Sequence, residues 1–403
     1  MSVTILEAID IILKNTNPLS TEILPIEQIL FKISAQDIKA TIALPQFNNS
    51  AMDGYALKGE SKNYKVVGKI LAGDSHNHIL NENEAIKIMT GAKAPINTDK
   101  IIPQENTQTI DESTIEIIKD VKLNAHIRYK GEDIDIDETI LSSKEKINSS
   151  HIALLASQGI THVEVYKKPR IAIFASGNEL KLHFEKLEES QIYNSNTPYL
   201  IARAKELGCE ASFVGRSDDN IESLKQIIEN SLSYDFIVTS GGVSVGEADF
   251  TKKAFNALEC VEKFSKVEIK PGKPTTFGMI GKTPVLNLPG NPLASAINFE
   301  IFAKPLIKKL SGSSKYYHGY IETKIDKEFI KTRKVPTVIP GFFDGISFKV
   351  ADQFSPGMVN VLNHCNGFIL ISKDRDQIKK DDIVKFLPMN WEFEQEDFVD
   401  FQS

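Results

Sequence analysis

From Lys167 to Gly312, apolar runs of strand length alternate with segments of helical periodicity, and no other feature constrains the fold as tightly. "PRIAIFASG" reads as a buried strand and "TPYLIARAKELG" as a helix stopped by glycine. "EASFVGRS" and "NIESLKQIIENSL" repeat the pair, and "FIVTSGG" and "ADFTKKAFNAL" repeat it again. "PVLNLPG" then leads into one long helix, "NPLASAINFEIFAKPLIKKL". Strands that alternate with helices predict a parallel, wound α/β sheet. Ligands of such a sheet lie beyond the carboxyl ends of its strands. Those ends carry Ser176, Gly177, Asn178 and Glu179; Arg216 to Asp219; Ser240, Gly241 and Gly242; and Pro289, Gly290, Asn291 and Pro292. These polar or glycine-rich loops are expected along one edge.

The flanking segments have a different texture. Residues 46–140 hold short β-like runs ("YKVVGKIL", "EAIKIMT", "STIEIIKDVKL") between Gly, Asn and Asp turns and read as a β-rich domain. Residues 1–45 begin with the amphipathic helix "MSVTILEAIDIILKN", and "SSHIALLASQGI" is a capped helix ending at Gly159. Residues 1–45 and 141–166 are assigned together to an N-terminal helical and linker domain. Residues 313–403 turn β-like again ("YIETKI", "ISFKVA", "GFILIS", "DIVKFL") and predict a small barrel or sandwich, followed by the acidic tail "EFEQEDFVDFQS". The chain is thus read as a multidomain α/β protein of 403 residues.

Charge and cysteines narrow the function. With 47 Lys+Arg against 54 Asp+Glu, the net charge of −7 argues against a general nucleic-acid face. The three cysteines are far apart and lack CxxC spacing, which speaks against a disulfide framework or zinc knuckle and for a reduced, cytoplasmic setting. No basic n-region opens the chain, and no apolar run approaches the ~20 residues of a membrane span.

Two stretches carry candidate chemistry. In "VTSGGVSVGEADF", Gly241 and Gly242 permit close backbone approach, and a helix start follows, a combination suited to an anion. A plain strand-to-helix turn would look the same. In "KVEIKPGKP", Lys266, Lys270 and Lys273 flank a Pro-Gly turn and suit phosphate or another oxyanion; a solvated hairpin is the bland alternative. At the same end of one sheet, the two together favour an anion site. Glu179, Asp218, Asp219, Glu247 and Asp249 also fall in these loops. Carboxylates beside an anion site suggest a bridging Mg²⁺, which binds through one or two carboxylates plus substrate phosphates. "HNH" at His76 to His78 lacks a third ligand and reads as a polar loop. His364 and Cys365 are adjacent and read as packing.

"NNSAMDGYA", "IMTGAKAP", "GEDID", "QIYNSN", "TSGGVSVGEADF", "IKPGKPTTFG" and "NLPGNPLA", in this order, resemble the MoeA family, the molybdopterin molybdenumtransferases, which are similar to the E domain of gephyrin. The resemblance spans nearly the whole chain and weakens after residue 312. It implies conversion of adenylylated molybdopterin and molybdate to molybdenum cofactor, with release of AMP and dependence on Mg²⁺. It also implies an elongated homodimer in which Asp53 serves the partner's pocket, and leaves room for contacts with other proteins of cofactor biosynthesis. The matched catalytic candidates are Asp53, Thr90, Asp133, Glu179, Asp218 and Asp249, of which Glu179, Asp218 and Asp249 are the metal candidates. The matched substrate-binding candidates are Gly241, Gly242, Ser244, Lys266, Lys270, Lys273, Pro289, Pro292 and Ser355. Asn178 stands where the family has a carboxylate, and the Arg-rich lead into "GEDI" is reduced to Arg128 and Lys130. The alternatives are the adenylyltransferase of the same pathway, which resembles the 168–312 segment alone, and a non-enzymatic gephyrin-like scaffold.

Overall fold

The alternation after Lys167 folds as a six-stranded sheet in the computed structural model, which describes residues 2–74, 77–217, 220–241, 250–331 and 334–390. The strand order is Glu210–Ser217, Arg170–Ser176, Phe236–Ser240, Thr283–Leu288, Thr276–Ile280, Val261–Phe264. The first four run parallel. The last two are antiparallel, so the sheet is mixed rather than wholly parallel as expected. A tight turn at Gly281 and Lys282, with Gly281 at φ 56°, makes the hairpin between Thr276–Ile280 and Thr283–Leu288.

Alternate residues of each central strand enter different cores. Ile171, Ile173, Phe236, Val238, Leu286 and Leu288 pack with the Asn196–Glu206 and Pro292–Asn298 helices. Ala172, Phe174, Ile237 and Val285 pack on the other face with Leu224, Ile228, Ala254 and Phe255. Burial on both faces is why these strands read as unbroken apolar runs.

The long helix expected over 291–310 is interrupted. Pro292–Asn298 is α-helical, Phe299–Ala303 is a π-helical turn, and Lys304–Leu310 resumes the α-helix. Pro305 lacks the N–H that would bond back into the preceding turn, and the wider turn accommodates it.

The N-terminal helix, Ile5–Lys14, is capped by Thr4 and Glu7 acting reciprocally. Its buried stripe of Ala8, Ile9, Ile12 and Leu13 joins the core of the sheet, against Leu306 and Leu310. It packs there rather than with residues 141–166. The segment after it does meet residues 141–166, as a strand pair: Thr21–Pro25 with His162–Tyr166, around a small core that includes Ile29, Ile147 and Val165.

Residues 54–117 form a second six-stranded sheet, ordered Lys100–Pro103, Gly54–Leu57, Glu84–Ile88, Asn63–Ile70, Thr114–Ile117, Thr107–Asp111. The C-terminal region is a closed barrel rather than a sandwich: Ile321–Ile325, Ser347–Val350, Thr337–Phe343, Gly367–Ile371 and Ile383–Pro388 close around Ile339, Phe348, Ile369 and Phe386. Buried Arg203 fastens the barrel to the sheet layer. It pairs with Glu300 and donates to Met389 O at 2.8 Å and Asn390 Oδ1 at 3.1 Å.

Candidate functional site

Parallel register sets the carboxyl edge. Ser176 lies opposite Ser217, Ala175 opposite Ser240, and Ser240 opposite Leu288, so the strand ends stand in one row. The first residues beyond two of them bond to neighbouring strand ends. Gly241 N donates to Leu288 O at 3.2 Å and Gly177 N to Ser217 O at 3.3 Å. Gly241 sits at φ 94°, and a Cβ there would lie 2.5 Å from Ser176 O. Glycine is therefore required for the strand ends to come this close. Gly177 adopts φ 149° under the Glu179 carboxylate, 2.6 Å from where a Cβ would be, and Glu179 itself is exposed.

One residue named in no candidate set ties two of these loops together. Asn196, at the start of the Asn196–Glu206 helix, donates from Nδ2 to Ser240 Oγ and to Gly290 O, both at 2.7 Å. It thereby links the glycine turn to the "PGNP" loop of Pro289 and Pro292. The signal was present in "QIYNSN", whose polar run precedes a helix on this same edge. From the barrel, Pro356 O accepts from Leu293 N at 3.0 Å, which brings Ser355 beside the helix that Pro292 begins.

The lysine turn flanks this edge. Val267 and Ile269 are buried while Lys266 and Glu268 are exposed and Lys270 is half-buried; the strand ends at Val267, and Ile269 N donates to Val267 O at 2.9 Å, so the chain turns at Glu268 rather than running extended to Lys270 as expected. Lys273 is exposed beyond the Pro271–Gly272 turn, and its carbonyl accepts from Val267 N at 2.9 Å.

The motifs of the β-rich domain form a separate cluster. Gly54 pairs with Ile88, and this register brings Asp53 to Thr90. Asp53 Oδ1 accepts from Thr90 N at 2.7 Å and Thr90 Oγ1 at 2.8 Å. The backbone bond from Thr90, then its hydroxyl bond, hold the Asp53 carboxyl below its ordinary pKa. The "NNS" segment is stitched to the same loop by Ser50 N to Ala92 O at 3.0 Å and Gly91 N to Ser50 O at 2.8 Å. Lys130 N donates to Asn48 Oδ1 at 2.9 Å and Asp133 N to Leu44 O at 3.0 Å, so exposed Asp133 belongs to the same end of the domain.

Asp218, Asp249, Gly242 and Ser244 lie outside the described residues, as do Asp219, Glu247 and His76. Among the described residues, no three His, Cys, Asp or Glu side chains converge as a metal site. Burial pushes all three thiols up, Cys209 to about 12 and Cys260 and Cys365 to about 11, which disfavours the thiolate. Cys365 is buried and His364 exposed, so the two point apart. No helix among the described residues is long and apolar enough to cross a membrane.

Known proteins match the same two halves. Residues 3–159 match the MoeA N-terminal region (domain I and II), and residues 172–309 match a probable molybdopterin binding domain. The molybdopterin molybdenumtransferase of Staphylococcus epidermidis is 32% identical over 391 residues, covering 91% of this chain and 93% of that protein. That of Staphylococcus aureus strain COL is 31% identical over 386 residues, covering 90% and 92%. A solved molybdopterin biosynthesis MoeA protein from Pyrococcus horikosii superposes with a TM-score of 0.83 at 28% identity, over 97% of this chain and all of that one.

Proposed function

Because the chain belongs to the molybdopterin molybdenumtransferases, enzymes of molybdenum cofactor biosynthesis that act on molybdopterin, we infer that its substrates are adenylylated molybdopterin and molybdate and that AMP is released. The observation that carries this reading is the row of strand ends closed by Gly177, Gly241 and Asn196, with the lysine turn at its flank. Backbone amides and lysines there suit a molecule with several anionic groups, and a pyrophosphate linkage beside a molybdate is such a molecule. The protein's part is to hold the two anions together and neutralise their repulsion, which turns an encounter of like charges into a positioned reaction. Lys266, Lys270 and Lys273 supply charge, Gly241 with Gly242 and Ser244 supplies backbone and hydroxyl donors, and Pro289, Pro292 and Ser355 form the wall.

Glu179, Asp218 and Asp249 offer hard oxygen donors of the kind that fit Mg²⁺, which would add positive charge against the phosphates. Glu179 is the described member of that set, and its exposed carboxylate is available to a cation. Asp53 and Asp133 stand in the other domain. We assign them, with Thr90, to the pocket of a second subunit in a homodimer, with Asp53 held ionised by Thr90. A cytoplasmic location fits both the substrates and the free thiols.

The full-length match sets this reading ahead of the adenylyltransferase, because residues 3–159 are matched too. AMP release from adenylylated molybdopterin, measured against molybdate and Mg²⁺, tests it. Release is expected to depend on both and to fall steeply in Asp249→Asn. Formation of adenylylated molybdopterin from ATP would favour the adenylyltransferase instead. Normal turnover of Asp249→Asn across a Mg²⁺ titration would remove the metal role.

A further inference from the structure

The turn between Lys270 and Lys273 rests on a buried asparagine from a neighbouring helix. Asn298 ends the Pro292–Asn298 helix, outside every motif that carries the family resemblance, and is completely buried. Its Nδ2 donates to Ala294 O at 2.6 Å, within its own helix, and to Pro271 O at 3.3 Å, in the turn. Its Oδ1 lies 3.1 Å from Thr275 Oγ1, whose hydroxyl also lies 2.8 Å from Gly272 O, so one proton serves both acceptors. Gly272 adopts φ 106°, and a Cβ there would lie 1.7 Å from Asn298 Nδ2. The amide and the turn backbone are therefore in direct contact.

Asparagine is a poor residue for this place if packing alone mattered. It is a weak helix former, and a buried amide is costly unless its polar atoms are satisfied. Here the partners that satisfy it beyond its own helix are Pro271 and Thr275. On the opposite side the same turn is joined to the barrel: Lys270 N donates to Pro336 O at 2.9 Å and Val338 N to Lys270 O at 2.8 Å. Asn298 is thus the helix's half of a clamp whose other half is the Thr337–Phe343 strand.

We propose that Asn298 is a positioning residue for oxyanion capture: it fixes the Pro271–Thr275 turn and thereby the places from which Lys270 and Lys273 meet a tetrahedral oxyanion. This rests on the lysine turn being the molybdate-binding and phosphate-binding element. Without Asn298 the lysines keep their charge but lose their fixed spacing. The cost then falls on affinity for the small anion more than on turnover once the anion is bound.

The test follows AMP release against molybdate concentration, with thermal melting, in the full-length enzyme. Asn298→Ala is expected to raise the molybdate concentration for half-maximal rate about five- to tenfold and to lower kcat by a smaller factor. Thr275→Val removes only the shared hydroxyl and is expected to raise it about two- to threefold. Lys270→Ala raises it on its own. In that background Asn298→Ala is expected to add less than about twofold, because residues acting through one another are not additive. A merely structural Asn298 would lower the melting temperature alone or multiply its effect onto that of Lys270→Ala. If Lys270→Ala shifts the molybdate dependence and neither Asn298→Ala nor Thr275→Val does, the positioning role falls while the anion reading stands. If Lys270→Ala shifts nothing, both fall. Should Asn298→Ala fail to fold, Thr275→Val decides: an unshifted molybdate dependence overturns the proposal.

Discussion

The Asp53 loop and the lysine turn are built in opposite ways. The Asp53 carboxylate accepts from Thr90 and its carbonyl from Gln104 N at 3.1 Å, all within the 46–140 segment, and Asp53 and Thr90 are brought together by neighbouring strands of one sheet. The lysine turn draws on four parts of the chain: its own hairpin, the N-terminal Ser2–Val3 strand that pairs with Lys266–Val267, Asn298 on a helix, and Pro336 and Val338 on the barrel. The first is a self-contained module that presents a carboxylate. The second is a composite whose shape depends on how the sheet layer and the barrel sit together. A self-contained module is suited to serving a pocket it does not otherwise build, such as that of a second subunit. A composite turn ties anion binding to the integrity of its own subunit.

The largest expected effect breaks the module without disturbing the fold. Asp53 is exposed and its bonds are local, so Asp53→Ala should lower AMP release about 100-fold while leaving the melting temperature unchanged. If Asp53 serves the partner's pocket, co-expressing Asp53→Ala with Lys270→Ala should restore about a quarter of the wild-type rate at low molybdate. Half of the dimers are then mixed, and each mixed dimer has one intact site. No restoration would place Asp53 and Lys270 in the same subunit's site or the enzyme outside a dimeric arrangement.

Stability sharpens the contrast next. A Cβ on Gly54 would lie 1.9 Å from Ile102 O, a backbone atom in the paired strand, so Gly54→Ala should cost about 3 kcal/mol in urea unfolding. Gly272→Ala meets a side-chain amide instead and should cost about 2 kcal/mol, including strain from its positive φ. Adding Asn298→Ala to Gly272→Ala should cost less than the two singles summed, because truncation removes the atom that the new methyl strikes. Strict additivity would mean that the turn is not pinned by Asn298.

The parts visible in the sequence were those in which one physical demand dominates a continuous stretch. A sheet buried on both faces demands apolar runs such as Ile171 to Ala175, and its carboxyl edge then follows from topology alone. The barrel was legible only as β texture, and Asp53 and Thr90 only as separate candidates of the family resemblance; their bond was not, since the partners are 37 residues apart. What was missed depends on contacts between distant segments. Thr276–Ile280 is short and holds Gly278, so its antiparallel place was hidden although Gly281 marked the turn. The interrupted helix was signalled by Pro305, but nothing local said that a π-turn would absorb it. Asn298 reads as an ordinary helix position until the turn carrying Pro271, 27 residues earlier, is seen against it. The N-terminal helix announced its apolar stripe but not which core would take it.

The smallest effect concerns Asp53 and Thr90 alone, and it asks whether the module is as self-contained as its bonds suggest. Thr90 lowers the Asp53 pKa first through its backbone N–H and then through its hydroxyl, while the slight burial of the carboxyl acts in the opposite direction. Thr90→Val keeps the backbone donor and removes the hydroxyl, so the Asp53 pKa should move part of the way back up, as followed by NMR titration of the carboxyl. The sign for stability follows from the lowered value. A carboxyl with a depressed folded pKa contributes stability above its unfolded value of about 3.9, and this contribution is lost as pH falls through the folded value. Any difference in stability between Thr90→Val and wild type that arises from this titration should therefore be present at neutral pH and shrink below about pH 4. Because Asp53 is exposed, that difference should be small, and the titration shift is the sharper readout. An Asp53 pKa unmoved by Thr90→Val would mean that the backbone bond does all the holding. A shift equally large in Lys270→Ala would mean that the two regions sense each other's charge, and the division between module and composite would have to be redrawn across the subunits.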